Sequence, residues 1–311
     1  VPLFEIFLNN LLPIFLCAGA GLAVGRAFEP DIKTINRLTF YIFSPCLVFT
    51  SLTHSPVPGG ELTQIALFVV AFVALMIALS ALTGRLLGLS RQALITLIIA
   101  SAFVNSGNYG LAAVNFAFGE AALARAVVFY VASTFTVYTL GILIASLGKQ
   151  TVRGALRELV SVPAFYALLA AGLVRGFGAE MPLFLDRAIT LLGEAALPVM
   201  LIILGLQMAR TRLEQKHWPP GRRALVVAGV CLQLLIAPLA ALALAYPFGL
   251  TGLTWQAVVL EASMPTAVIT TVLAVQYDLD VEPVALVVVL STLLSPLTLT
   301  PLIAYLKHAA G

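Results

Sequence analysis

The amino-acid sequence predicts an all-α membrane protein of ten transmembrane helices, built as two inverted repeats of five spans each. Three observations lead there. The first is composition: 61% of the 311 residues are hydrophobic and 10% are charged, with a mean hydropathy of +1.05, whereas a soluble domain carries about 25% charged residues. A soluble fold would lack the polar surface it needs. The second is a series of ten apolar runs, each close to the roughly 20 residues that cross a bilayer. The third is that the fourth and ninth runs are interrupted by helix-breaking residues at matching places in two similar halves.

In chain order the runs are 11–27, 32–52, 62–83, 92–118, 123–146, 158–174, 183–209, 223–246, 255–277 and 283–306. Leu12-Pro13 opens the first and Ser44-Pro45 lies inside the second. The fourth is interrupted by Asn105-Ser106-Gly107-Asn108-Tyr109-Gly110, and the fifth carries Ser133, Thr134 and Thr136. Val162-Pro163 in the sixth and Leu197-Pro198 in the seventh repeat the proline pattern of the first two. The ninth is interrupted by Met264-Pro265-Thr266, and the tenth carries Ser291, Thr292 and Ser295 in correspondence with the fifth.

Charge orients these runs. One set of loops holds Arg26, Lys33, Arg37, Arg85, Arg91, Lys149, Arg153, Arg157, Arg210, Arg212, Lys216, Arg222 and Arg223; the other holds Arg125, Arg175, Arg187 and Lys307. The basic side is expected to be cytoplasmic, with both termini outside a cell (inner or plasma) membrane. The acidic loop Asp278 to Glu282 falls on the basic side and argues weakly against this. Val1 to Asn10 has neither a basic region nor a small-residue cleavage site, so no secretory signal is expected there.

The halves align at an offset of 159: residues 126–145 read AVVFYVASTFTVYTLGILIA and 285–304 read ALVVVLSTLLSPLTLTPLIA. At that offset Asn105 falls on Met264, Ser106 on Pro265 and Gly107 on Thr266, so an alignment anchored elsewhere predicts where the breaks coincide. The expected organisation is a first repeat over 1–146, a short cytoplasmic linker over 147–157 and a second repeat over 158–311. Five is odd, so the second repeat is inverted.

Broken helices at membrane depth are tolerated where they line a cavity or are buried in protein, and paired breaks in two repeats mark a transporter's binding site. Gly107 and Gly110 permit unwinding, Pro265 removes an N–H, and Asn105 and Asn108 offer amides. The outgoing half-helices, near Leu111 and Ala267, should present free N–H groups and positive partial charge, which attract a carboxylate. The substrate-binding candidates are Asn105, Ser106, Gly107, Asn108, Tyr109, Met264, Pro265 and Thr266, with Ser44 from the second span. Two acids, Glu194 and Glu261, lie inside spans and are candidates for proton coupling; Glu261 could equally be wetted by an outer vestibule.

Other chemistries lack their residues. Cys17, Cys46 and Cys231 sit in apolar runs without metal spacing, and His54, His217 and His308 cannot be assembled into a metal site. No cofactor or metal is expected. A net charge of +3 is too small to suggest nucleic acid. An intramembrane enzyme would need a nucleophile elbow, a metal cluster or an Asp-rich motif, and none is present.

Asn105-Ser106-Gly107-Asn108-Tyr109-Gly110-Leu111 resembles the first signature of the auxin efflux carrier family, and Ser263-Met264-Pro265-Thr266-Ala267 resembles its second. The stretch Val289 to Ser295 resembles its last span. The resemblance covers essentially the whole chain. It implies a fold similar to bile-acid and sodium/proton exchangers, with spans 4 and 9 crossing at their breaks. It further implies a scaffold of spans 1, 2, 6 and 7, a transport domain that moves against it as an elevator, and a homodimer through the scaffold helices. Members of the family carry small organic anions, including dicarboxylates and indole acetate. Two departures matter: Ala112 stands where the family often has Pro, and Ile269 where an Asn often follows the second signature. The resulting expectation is a secondary carrier of small organic anions working by alternating access, proton coupling included among its options. A sodium-coupled symporter of the bile-acid type is the alternative, and a channel or receptor would not require two matched breaks.

Overall fold

In the computed structural model the described residues are 2–55, 57–146, 162–210 and 220–309. They form twelve helices. These are α1 (Leu3–Phe28), α2 (Ile32–His54), α3 (Gly59–Leu86), α4 (Arg91–Ala102), α5 (Leu111–Phe118), α6 (Glu120–Ala145), α7 (Pro163–Gly176), α8 (Leu183–Arg210), α9 (Gly221–Ala245), α10 (Gly252–Ala262), α11 (Ile269–Gln276) and α12 (Val281–Ala309). Seven of them, α1, α2, α3, α6, α8, α9 and α12, are long and apolar enough to cross a membrane. The fourth and ninth apolar runs do not form single rods. They form the pairs α4–α5 and α10–α11, because glycine, asparagine and proline interrupt them. The expected linker 147–157 and the basic residues Lys149, Arg153, Arg157, Arg212 and Lys216 lie outside the described residues.

Three of the long helices carry a local irregularity with a shared cause; a fourth π turn, Val137–Gly141 in α6, has no proline after it. One wide π turn interrupts each of α1 (Phe7–Leu11), α2 (Thr39–Phe43) and α9 (Leu232–Ile236). Each of these turns ends two residues before a proline: Pro13, Pro45 and Pro238. A proline lacks the N–H that would bond back one turn, and its ring crowds that carbonyl. The wide turn relieves the crowding. In α1 the buried Asn10 amide donates to Ile6 O at 2.7 Å, so the helix continues through a polar pair and starts at Leu3 rather than at residue 11.

The helices pack in two groups. α1 lies along α8, and α2 packs against both α7 and α8. The α1–α8 contact is backbone on backbone. A Cβ at Gly21 would come within 2.9 Å of the Ile202 carbonyl carbon, and one at Gly205 within 2.8 Å of that of Ala18. Close approach over small residues is how membrane helices associate when hydrophobicity supplies no preference between lipid and protein. The second group gathers α3, α4, α5 and α6 with α9, α10, α11 and α12. Two ion-pair clusters tie it at its ends. Arg125 Nε donates to Glu61 Oε2 and to Thr254 Oγ1, both at 2.8 Å, and the Thr254 hydroxyl also bonds Glu61. At the other end Arg222 pairs with Asp280 at 2.5 Å and with Glu282 at 3.0 Å. The acidic loop 278–282 is thus the ion-pair partner of Arg222.

Candidate functional site

α4 ends at Ala102, and Phe103 turns the chain into extended conformation at φ −121°, ψ 120°. α10 ends at Ala262, and Ser263 to Ala267 also run without helix. The two unwound segments meet. Val104 and Thr266 form an isolated antiparallel β bridge. Asn105 N–H donates to Pro265 O at 2.7 Å, and Ala267 N–H to Phe103 O at 2.9 Å. Side chains satisfy the groups that remain: Thr266 Oγ1 donates to Ala100 O at 2.8 Å, Gln233 Nε2 to Met264 O at 2.6 Å, and Thr266 N–H to Ser291 Oγ at 3.1 Å. Each break thus supplies the hydrogen bonds the other has lost, the condition for irregular backbone at membrane depth.

From this crossing two helices leave. The first begins with a π turn over Ser106–Gly110, closed by Gly110 N–H on Asn105 O at 3.0 Å, and continues as α5. The α-helix starts at Leu111, as expected, and the π turn before it extends the ordered backbone five residues further back, across Gly107 and Gly110. The second is α11, capped at Val268. The N–H groups of Gly107 and Asn108 and of Val268 and Ile269 belong to these first turns, where no carbonyl lies one turn back.

A cavity of about 470 Å³ opens beside them. Asn105, Ser106, Gly107 and Asn108 line it, as do Ser44 from α2 and Ala267, Val268 and Ile269 from the second break. The candidates therefore divide. Met264, Pro265 and Thr266 are buried in the crossing and do not line the cavity; their part is backbone pairing. Tyr109 is fully buried, and its hydroxyl lies 2.9 Å from Ser295 Oγ, so it anchors α5 on α12. Of the hydroxyl residues weighed in the fifth and tenth runs, Ser133 and Thr134 line the cavity. Ser291 holds the bridge, and Thr136 and Thr292 bond carbonyls of their own helices.

The two acids also part company. Glu194 ends the first part of α8 on the exposed surface of the described chain. Glu261 is fully buried, so the vestibule-wetted alternative fails. Both its carboxylate oxygens lack a hydrogen-bond partner, and so do Ser106 Oγ and Asn105 Nδ2 in the neighbouring break. Ser106 lies close enough to act on the Glu261 carboxyl, though outside hydrogen-bond geometry. A Cβ at Gly110 would stand 2.8 Å from Glu261 Cδ, so the glycine is what lets the carboxyl sit against the first break. Among the described residues no cluster of His, Cys, Asp or Glu could hold a metal ion.

Three residues of this site escape sequence reasoning. Tyr130 lines the cavity, its hydroxyl 3.1 Å from Ser44 Oγ, and its ring covers Gly107, where a Cβ would lie 2.8 Å from Cε2. A tyrosine in mid-span, away from the interfacial belts where the residue is usual, was the available signal. Gln233, a lone amide in an apolar run, serves the second break. Arg37 is the single charged side chain among those lining this cavity; its position near a span end read only as a topological marker.

Comparison with known proteins identifies the family. The membrane transport protein family matches residues 6–153 and 149–303. An "Uncharacterized transporter" of Methanothermobacter thermautotrophicus is 31% identical over 280 residues, covering 89% of each chain. An "Uncharacterized transporter" of Methanocaldococcus jannaschii is 25% identical over 279 residues, covering 87% of this chain and 88% of the relative. A "Putative malonate transporter" of Rhizobium meliloti is 28% identical over 319 residues, covering 100% of this chain and 95% of the relative. The chain belongs to the membrane transport protein family, that of the auxin efflux carriers, and is a multi-pass membrane transporter rather than an enzyme.

Proposed function

We propose that this protein is a secondary carrier of small organic anions, with short dicarboxylates of the malonate type as its substrate class. The observation that carries the proposal is the pairing of two helix starts, at Gly107-Asn108 and Val268-Ile269, on one cavity with a cationic residue and no acidic one among its lining. Peptide dipoles and free N–H groups there stabilise a carboxylate. The name of the Rhizobium relative points to the same chemistry.

In this reading the chain crosses the membrane ten times as a 5+5 inverted repeat over 1–146 and 158–311, α4–α5 and α10–α11 each making one broken crossing. The group α1, α2, α7 and α8 is the scaffold, which a second copy of the chain meets in a homodimer. The other group is the transport domain. It moves as an elevator and exposes the cavity to each face in turn. The basic loops are cytoplasmic and the termini extracytoplasmic. Glu261 rather than Glu194 couples transport to a cation, because its unpartnered carboxyl lies in the moving group against the substrate-binding break. Burying a lone carboxylate is costly unless it is protonated or paired. A proton is the favoured partner. Sodium is the second reading, favoured by the clustering of Ser106 and Asn105 polar atoms around the same carboxyl.

The test is uptake into proteoliposomes of malonate, malate, indole acetate and their neutral amides, under imposed proton or sodium gradients. Acids should be carried and amides not. Asn108→Ala should weaken transport more than Ser291→Ala. Equal handling of an acid and its amide would end the anion assignment. An unchanged response of Glu261→Gln to both gradients would end the coupling assignment.

A further inference from the structure

The cavity at the crossing, the inner chamber, shares part of its wall with a second, outer chamber. This second cavity, of about 600 Å³, shares Asn36, Gln207, Val268 and Val272 with the inner one. Its other walls come from the start of α2, the end of α8, α11 and the start of α12, all on the face that carries the basic loops. The lining of the outer chamber is apolar except for Asn36, Gln207, Thr271 and three charged residues, Lys33, Arg210 and Glu282.

The charges there do not cancel. Glu282 is paired with Arg222 at 3.0 Å, and Arg210 Nη2 donates to Pro30 O at 2.9 Å. Asp31, the nearest acid to α2, accepts from Lys33 N–H at 3.1 Å and from Thr34 Oγ1 at 2.6 Å, so it serves as the cap of α2. Among the described residues no ion pair engages the side chain of Lys33 or of Arg37. They stand four residues apart on α2, one turn of the same helix face. Lys33 lines the outer chamber and Arg37 the inner one. Two turns beyond Arg37 on the same helix, Ser44 touches Tyr130 over the first break. Low-dielectric walls around charge of one sign focus the field and raise the local concentration of counter-ions.

We propose that Lys33 and Arg37 form an electrostatic entrance that recruits the anion from the basic-loop face, giving that face a higher apparent affinity than the opposite one. The proposal rests on the anion-carrier reading and adds a sidedness that reading does not require. A charge at the mouth acts on the inward-open state alone, whereas the helix starts at the crossing serve both states.

The experiment uses the full chain in proteoliposomes sorted by orientation, with labelled malonate offered to one face at a time. At about 20 mM salt, Lys33→Gln, which alters the outer chamber alone, should raise KM on the basic-loop face about fivefold and leave KM on the other face unchanged. At about 500 mM salt, where screening reaches only a few ångströms, the difference from wild type should fall below about twofold. Lys33→Arg keeps the charge and should behave as wild type. Salt alone tests the wild-type protein without any substitution: its KM should rise with ionic strength on the basic-loop face only. Equal changes at both faces, a salt-independent loss, or no change overturns the entrance while leaving the carrier standing. Failure of the wild type to carry malonate or any of the other acids from either face overturns both.

Discussion

Thr266→Val is the sharpest test of the crossing. The substitution keeps the branched shape and removes one hydroxyl. That hydroxyl donates to Ala100 O at 2.8 Å, and Thr266 and Ala100 are both 0% exposed. Ala100 lies in the last turn of α4, where carbonyls have no donor one turn ahead. Its lost partner cannot be replaced by water or by its own helix. A side-chain hydrogen bond between membrane helices contributes about 0.6 kcal/mol. Stranding a buried carbonyl costs about 1–3 kcal/mol more. The expected loss is about 2 kcal/mol, or roughly 4–8 °C in Tm at 2–4 °C per kcal/mol for a chain of this size class. Thermal unfolding in detergent reads it directly. Thr271→Val is the control, because that hydroxyl bonds Val268 O at 2.7 Å within its own helix and borders the outer chamber. It should cost under about 0.5 kcal/mol. If Thr266→Val melts with Thr271→Val, the hydrogen bond to α4 is not what holds the second break against the first.

Two further outcomes follow from particular contacts. Gly110→Ala should cost about 1–3 kcal/mol through overpacking against Glu261. Adding Glu261→Ala should recover most of it, Glu261→Gln should recover none, and Gly19→Ala, with nothing within 4 Å of its Cβ, should be neutral or slightly stabilising; thermal shift compares all four. The Thr34 hydroxyl, followed by the Lys33 N–H, holds the Asp31 carboxyl below its ordinary pKa. Its cap of α2 is therefore complete above the unfolded carboxylate pKa and is lost as pH falls through the folded one. Solvent exchange at the Lys33 amide, followed by NMR and corrected for the intrinsic rate, should quicken over that acidic window in wild type and not in Asp31→Ala.

The location of the breaks was legible because glycine, asparagine and proline act through the local backbone, which sequence displays. What each residue faces was not. Asn105 to Tyr109 read as one motif, yet the chain turns Asn105 to Asn108 toward the cavity and Tyr109 into the helix packing. The register of a π turn decides that split, and no hydrophobic periodicity announces one. Met264 to Thr266 looked like ligand contacts because they break a helix; their polar groups are instead consumed by α4 and the partner break, by Gln233 and by Ser291. Tyr130 and Gln233 act on residues of other segments, Ser44 in α2 and Met264 in the second break. No short-range pattern carries such pairings. The acids show the same limit: Glu194 and Glu261 both lie inside apolar runs, and only packing separates the exposed from the buried one.

The absence of proline from the first break follows from the same geometry. Ala112 stands where the family resemblance leads one to expect Pro, and it is 1% exposed inside a continuous helix. A proline in the first turns of that helix would favour its start but is not required, because the start is imposed from outside. Pro265 cannot donate a hydrogen bond, but its carbonyl accepts from Asn105 N–H, and the next residue pairs with Val104. One proline in the second half thereby stops both helices: its own by ring and missing donor, the other by offering an acceptor that competes with the helix's own carbonyls. Glycines at 107 and 110 then suffice on the first side. They leave room for the Tyr130 ring above and the Glu261 carboxyl below, which a proline-braced turn with Cβ atoms would have filled. The asymmetry between the two halves thus places the polar cavity on one side of the crossing and the buried acid on the other, with the thin backbone of a single glycine-rich turn between them.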